Sequence, residues 1–399
     1  MNEQLIVKNF GPIKDATVDF KKVTVFIGPT GGGKSTLAKL LYMIEQGDVF
    51  TSTFDFADQL IAIGLENYIK SSHYIKWSSS STNFFYIEKG KVNYTRKIEK
   101  TYHDHLLRRN NNLDYLANDI INNNSDNIFA DNKSSFNYIK SELENIEKRL
   151  YMKNIFTKKI NSYYFPSDRI IVSLLGYSWA RLLKGNVNIP HLLLEFADNY
   201  NTARNNINQL NIPFLNSKYT HENEHDYIYS TKDNGQLRLS ETASGIQSAI
   251  PLLILLEHLS LHQARTQSFI IEEPELNLYP TAQQGLLNWL IEKCTFNENS
   301  LTITTHSPYI LSHLNLLLYA YQVAHKHPNR ADDVAKIVPR ESWINPKEFS
   351  CYQVENGGVQ SLVNKDLGLI DNNELDALSG DAADAFDNLI RLSKGIAVK

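Results

Sequence analysis

The residues Gly28-Pro29-Thr30-Gly31-Gly32-Gly33-Lys34-Ser35-Thr36 have the types and spacing of a phosphate cradle. They fit G-x-x-x-x-G-K-[ST], with Gly28, Gly33, Lys34 and Ser35 in the defining places. Glycines let backbone N–H groups converge on phosphate oxygens, and a helix starting there adds its positive end. Lys34 is placed to reach the β- and γ-phosphates and the Ser35 hydroxyl to sit on Mg2+. The flanks agree: residues 22–27 read as a buried strand and residues 36–44 as a helix. The pattern therefore predicts a site for a nucleoside triphosphate.

Three later stretches carry further chemistry. Residues 267–271 read as a buried strand with an apolar run at 269–271, delivering two adjacent carboxylates, Glu272 and Glu273, at its end. In a parallel sheet that end lies beside the phosphate loop. Residues 300–305 read as another strand, ending in the polar switch Thr305-His306-Ser307. Between the loop and these strands runs Leu239-Ser240-Glu241-Thr242-Ala243-Ser244-Gly245-Ile246-Gln247, before an apolar helix. There a hydroxyl, a bare backbone and a helix N-terminus can all face a phosphate.

Taken in order, these stretches resemble the motif set of the ABC-class AAA-15/AAA-21 ATPases related to RecF, SMC and OLD proteins. Leu239–Gln247 resembles the ABC signature, Glu272-Glu273-Pro274-Glu275 the Walker B strand end, and Thr304-Thr305-His306-Ser307 the H-loop. The resemblance implies ATP and Mg2+ as cofactors, bound by residues 28–36, with Ser35 and Glu272 around the metal. It implies Glu273 as the base that polarises water and His306 as the residue that holds the γ-phosphate and attacking water. It also implies that Ser244, Gly245 and Gln247 meet the nucleotide held by a second copy. Tyr279 stands where such relatives have histidine, and no Q-loop glutamine is identified.

The elements that must position these groups set the expected architecture. The fold class is α/β, an ABC-type P-loop NTPase head with a mixed sheet and helices, a helical insertion and a small C-terminal extension. Residues 1–47 form the N-terminal sheet and phosphate-loop lobe. Residues 48–160 change composition, with asparagine and serine clusters, and form a mainly helical insertion. Within it residues 83–94 read as a hairpin about Lys89-Gly90, and Phe136, Ile139, Leu143, Ile146 and Leu150 as one apolar helix face. That face fits packing on its own domain or an intermolecular contact. Residues 161–313 complete the head, and 314–399 hold a hairpin about Asn356-Gly357-Gly358 and an acidic helical tail.

Two other places invite a functional reading. Asp168 and Arg169, after residues 163–166, fit either the nucleotide edge and dimer seam or an ordinary salt-bridged turn. Residues 176–225 read as helices and polar loops, with His221 and His225 among acids but lacking a further metal-ligand set.

The 399 residues carry a net charge of −4, which excludes a broadly basic surface. Cys294 and Cys351 form neither a metal spacing nor a disulfide framework. Residues 250–256, the most apolar run, are too short to span a bilayer, and residues 1–5 lack a signal-peptide pattern. The expectation is a soluble cytoplasmic ATPase that forms homodimers or larger homo-oligomers through ATP-sandwiched heads. The resemblance extends to ATPase subunits of anti-phage systems of PARIS or Septu type, which implies a separately encoded effector such as a nuclease. The alternative is a RecF- or SMC-like DNA-binding ATPase in repair or chromosome maintenance.

Overall fold

The computed structural model describes residues 3–47, 56–70, 72–79, 83–95, 98–105, 113, 116–117, 120, 132–156, 160–175, 189–231, 235–261 and 265–371. Its central element is β3 (Val23–Ile27), rich in β-branched residues and buried throughout. Strand geometry sends its side chains alternately to two faces. Val23, Val25 and Ile27 join one hydrophobic core, and Phe26 joins another on the opposite face.

The strands β1 (Glu3–Phe10) and β2 (Ile13–Phe20) precede β3 in the chain. Three more, β4 (Tyr74–Ser78), β5 (Phe84–Glu88) and β6 (Lys91–Tyr94), lie in the expected insertion. They continue the sheet outward from β1 by antiparallel pairing. On the other side lie β7 (Asn161–Phe165), β12 (Gln267–Glu272) and β13 (Ser300–Thr305). The hairpin strands β14 (Phe349–Glu355) and β15 (Gly358–Ser361) complete an 11-stranded sheet in the order β6-β5-β4-β1-β2-β15-β14-β3-β13-β12-β7.

From β14 to β7 the neighbours are parallel, so their C-terminal ends share one edge. A parallel sheet gathers its loops, and hence its ligands, at that edge. Helix α1 (Lys34–Gln46) leaves β3 there and packs on β7, β12 and β13. Helix α2 (Asn132–Phe156) docks through Met152 and Phe156 into the same core as α1. Of its expected apolar face, Ile139 is buried, while Ile146 and Leu150 are more than half exposed.

The hairpin turns at Lys89-Gly90 and Asn356-Gly357 stand where the sequence places them, each with positive φ at both residues. The position of the second hairpin differs from expectation. Rather than extending the head, β14 runs parallel to β3 inside the sheet, pairing Val25 with Cys351 and Ile27 with Gln353. Val354 O lies where a Cβ on Gly28 or Gly32 would be, at 2.3 and 2.5 Å. The hairpin is thus one wall of the phosphate loop, and only glycine lets the two backbones approach this closely. The acidic tail beyond Asp371 lies outside the described residues.

Residues 209–238 form a small antiparallel sheet rather than helices. It comprises β8 (Gln209–Ile212), β9 (Ser217–Glu222), β10 (His225–Ser230) and β11 (Gln236–Arg238). Its polar network centres on Asp226, which accepts from Tyr200, Tyr219 and Arg204 and contacts His221 Nδ1 at 2.7 Å. Helices α3 (Ile170–Leu175) and α4 (His191–Asn206) flank α5 (Ser244–Leu261). Helix α5 is long and apolar enough to cross a membrane, yet two-thirds of it is buried in the larger core. Helices α6 (Pro280–Cys294) and α7 (Pro308–Lys326) follow β12 and β13.

Because β14 separates β3 from β15 and β2, removing it exposes the centre of the sheet. A chain truncated after residue 345 is expected to lose its cooperative thermal transition. A melt like that of the full chain would show that the hairpin is dispensable to the head.

Candidate nucleotide site

The loop between β3 and α1 is shaped by three glycines with positive φ, at Gly28 (143°), Gly31 (77°) and Gly33 (111°). A Cβ on Gly33 would come 2.4 Å from Ile13 Cδ1, so β2 closes the second wall of the cradle. Pro29, Thr30, Gly31 and Ser35 face outward, whereas Lys34 and Thr36 are buried. Lys34 Nζ donates to Gly28 O at 2.8 Å and Pro29 O at 3.0 Å. Burial pushes its ammonium pKa down, against the opposing pull of Glu273, Glu275 and Glu272. Its charge therefore sits among the carboxylates while its donors hold the loop's own carbonyls.

Strand β12 is buried at all six positions and ends on Glu272. One oxygen, Oε2, accepts from Ser167 N at 3.3 Å, and the other, Oε1, is buried with no hydrogen-bond partner. An unpartnered buried carboxylate oxygen is costly unless a cation or water meets it. That orphan, with the exposed Ser35 hydroxyl, fits the donor set of a hard, oxygen-seeking ion such as Mg2+. The open glycine cradle likewise fits phosphate oxygens.

Glu273 takes φ +40°, an uncommon conformation for a side chain with a Cβ. Its amide donates to Thr304 O at 2.9 Å, extending the β12–β13 ladder by one rung. This turns the carboxylate toward the H-loop, where Oε1 lies 3.2 Å from His306 Nε2. Both side chains are about one-third exposed, so the pair is open to solvent at the loop edge. The structure thus brings Glu272, Glu273, His306 and residues 28–36 to one sheet edge.

The third glutamate of the run organises the switch. Glu275 is buried, and its Oε1 accepts from the Thr305 hydroxyl at 2.5 Å and the His306 amide at 3.1 Å. Ser307 caps α7 by accepting from Ile310 N, and its hydroxyl donates to Gln283 Oε1 at 2.6 Å. His306 is therefore held from both sides. The third acid of E-E-P-E and the second threonine of T-T-H are the sequence signals for this clip.

The residues at the start of α5 divide. Ser244 is exposed at the start of α5. Gly245 packs on the turn after Walker B, since a Cβ there would lie 2.6 Å from Asn277 O. Gln247 is buried, and its amide donates to Ser240 O and Thr242 O at 2.9 and 2.7 Å. These bonds tie the first turn of α5 to the loop at 240–242.

Arg169 lies at the sheet edge that carries Glu272 and Glu273 and makes no salt bridge among the described residues. It is fully buried, and its donors go to backbone carbonyls, those of Pro166, Ser248, Glu272, Glu273 and Pro274. Burial pushes its pKa down to about 10, opposed by the surrounding carboxylates Glu275, Glu272, Glu273 and Asp168. Asp168 itself is exposed at this edge.

Burial pushes the Glu275 carboxyl up, against the bonds from Thr305 and the His306 amide. The folded chain thus holds this proton more tightly than the unfolded chain. The contribution favours folding below the ordinary glutamate range and is lost as pH rises through the raised value. Denaturant midpoints should therefore converge between wild type and Glu275→Gln at low pH and move in favour of the variant at neutral pH. A difference independent of pH would contradict the assignment.

The chain matches the family described as AAA ATPase domain (AAA_15) over residues 1–177 and 180–311. No curated protein matches it. Similar solved structures include the SMC head domain from Thermotoga maritima, at 11% identity, covering 90% of this chain and 97% of that one, with a TM-score of 0.38. Another is the recombination mediator protein RecF of the RecFOR pathway, at 13% identity, covering 91% and 98%, with a TM-score of 0.32. With its phosphate loop, the carboxylates at the end of β12 and His306 after β13 inside the matched span, this chain belongs to the AAA ATPase domain family.

Proposed function

We propose that this chain hydrolyses ATP with Mg2+, in a site that a second copy completes through Ser244 and Gly245. The observation that supports this best is the Glu273–His306 pair, 3.2 Å apart at the same sheet edge as the phosphate loop. Residues 28–36 would bind the phosphates, with Ser35 and Glu272 holding Mg2+. The ion supplies neutralisation of phosphate charge when bound. Glu273 accepts a proton from the attacking water, and His306 orients the water and the γ-phosphate. Lys34, once its donors transfer from the Gly28 and Pro29 carbonyls to phosphate oxygens, exchanges internal bonds for charge-assisted ones.

The partner-facing part of the proposal draws on exposure. Ser244 is exposed, and Tyr279, directly after the turn that packs on Gly245, is 76% exposed. An aromatic so open beside a buried catalytic edge suits contact with a second copy. ATP would then be an interface component, so binding closes the pair and hydrolysis releases it. Following the resemblance of the motif set, that cycle regulates a separately encoded effector, a nuclease in an anti-phage system.

Lys34→Ala is expected to abolish ATP binding. Glu273→Gln should retain ATP while turnover falls by about 100-fold or more. Normal hydrolysis by Glu273→Gln would remove the catalytic assignment. For the effector, the tagged Glu273→Gln chain purified from its host should carry a stoichiometric nuclease-like protein. Nucleic acid without a protein partner would point to repair instead.

A further inference from the structure

Helix α5 contains Pro251, which has no N–H to give the carbonyl of Gln247. That orphan is met from outside the helix, by the Ser173 hydroxyl of α3 at 2.7 Å. One residue on, Ser248 O accepts from Arg169 Nε at 3.1 Å. The segment 166–175 thus grips the signature helix where proline has opened its backbone. The same guanidinium donates to Glu272 O and Glu273 O, both at 2.7 Å, and to Pro274 O at 3.2 Å.

Arg169 therefore joins two things that the chain keeps more than twenty residues apart, the first turns of α5 and the turn that aims Glu273. Its planar fork matters here, because a lysine could not reach three consecutive carbonyls and the helix together. The Glu273 backbone at φ +40° needs such external bonds to persist.

We propose that Arg169 is a positioning residue that ties the aim of Glu273 to the placement of the signature helix. A phosphate seated against Ser244 and Gly245 then sets the catalytic turn through Arg169, with Ser173 as the second tie. This inference rests on the proposed ATPase reading and assigns the coupling step within it. Arg169 touches no substrate.

The test compares Arg169→Lys in wild-type and Glu273→Gln backgrounds, with ATP affinity, kcat and amide exchange as readouts. Arg169→Lys should keep ATP affinity and lower kcat by roughly 10- to 100-fold, the scale of a small misplacement of a catalytic group. In the Glu273→Gln background it should lower the residual rate by less than about twofold, because both changes disable one unit. Exchange should quicken at residues 244–248 and 272–278 together, and not at 23–27. An unchanged kcat, equal fractional losses in both backgrounds, or quickened exchange at only one of the two segments would overturn the proposal.

If Arg169→Lys does not fold, Ser173→Ala removes a single bond from the same grip. It should lower kcat several-fold at unchanged ATP affinity, and an unchanged kcat would overturn the proposal. A wild-type chain that binds ATP without hydrolysing it would sink the ATPase reading instead, and the exchange readout would still decide the coupling.

Discussion

Four carboxylates and two cations crowd one edge of a buried parallel sheet, and their balance is the constraint on which the rest depends. Glu272, Glu273 and Glu275 follow a fully buried strand, with Asp168 beside them. Charges this close to low-dielectric protein are tolerated only when neighbours compensate them. Lys34 and Arg169 provide that compensation without direct ion pairs to the glutamates among the described residues. Both direct their donors to backbone carbonyls. The cations thereby fix the loops, leaving Glu272 Oε1 without a hydrogen-bond partner and Glu273 facing His306.

That arrangement explains why distant parts of the chain are needed. The hairpin at 349–361 supplies the backbone against which Gly28 and Gly32 pack, so the phosphate loop depends on residues more than 300 positions later. Glu275 holds the amide of His306, and Thr304 accepts the amide of Glu273. The loops after β12 and β13 are therefore anchored on each other, and the candidate site is a property of the sheet rather than of any motif alone.

The motifs were legible because their signals are local. Glycine spacing before Lys34, an apolar run before Glu272 and a polar stop at His306 each fit within about ten residues, as does the Asn356-Gly357 turn. The sheet position of β14 was not legible, since its apolar alternation does not say which strand it joins. Residues 176–225 read as helices and polar loops, but the aromatic residues from 219 onward and Asp226 form a cross-strand network visible only once the strands are paired. The partners of Gln247 and Arg169 are not legible for a related reason: their donors go to backbone carbonyls, those of Ser240, Thr242 and Ser248 among them, which only the folded turns bring within reach.

In the proposed ATP-bound pair each active site is a product of two chains, one giving residues 28–36 with Glu273 and His306, the other giving Ser244 and Gly245. Mixing a Lys34→Ala chain with a Ser244→Arg chain tests this most directly. Each alone should be inactive, while the mixture should recover hydrolysis, because one interface pairs the intact phosphate loop of one chain with the intact signature of the other. Wild-type turnover by the Ser244→Arg chain alone would contradict the account, since the site would then be complete within one chain.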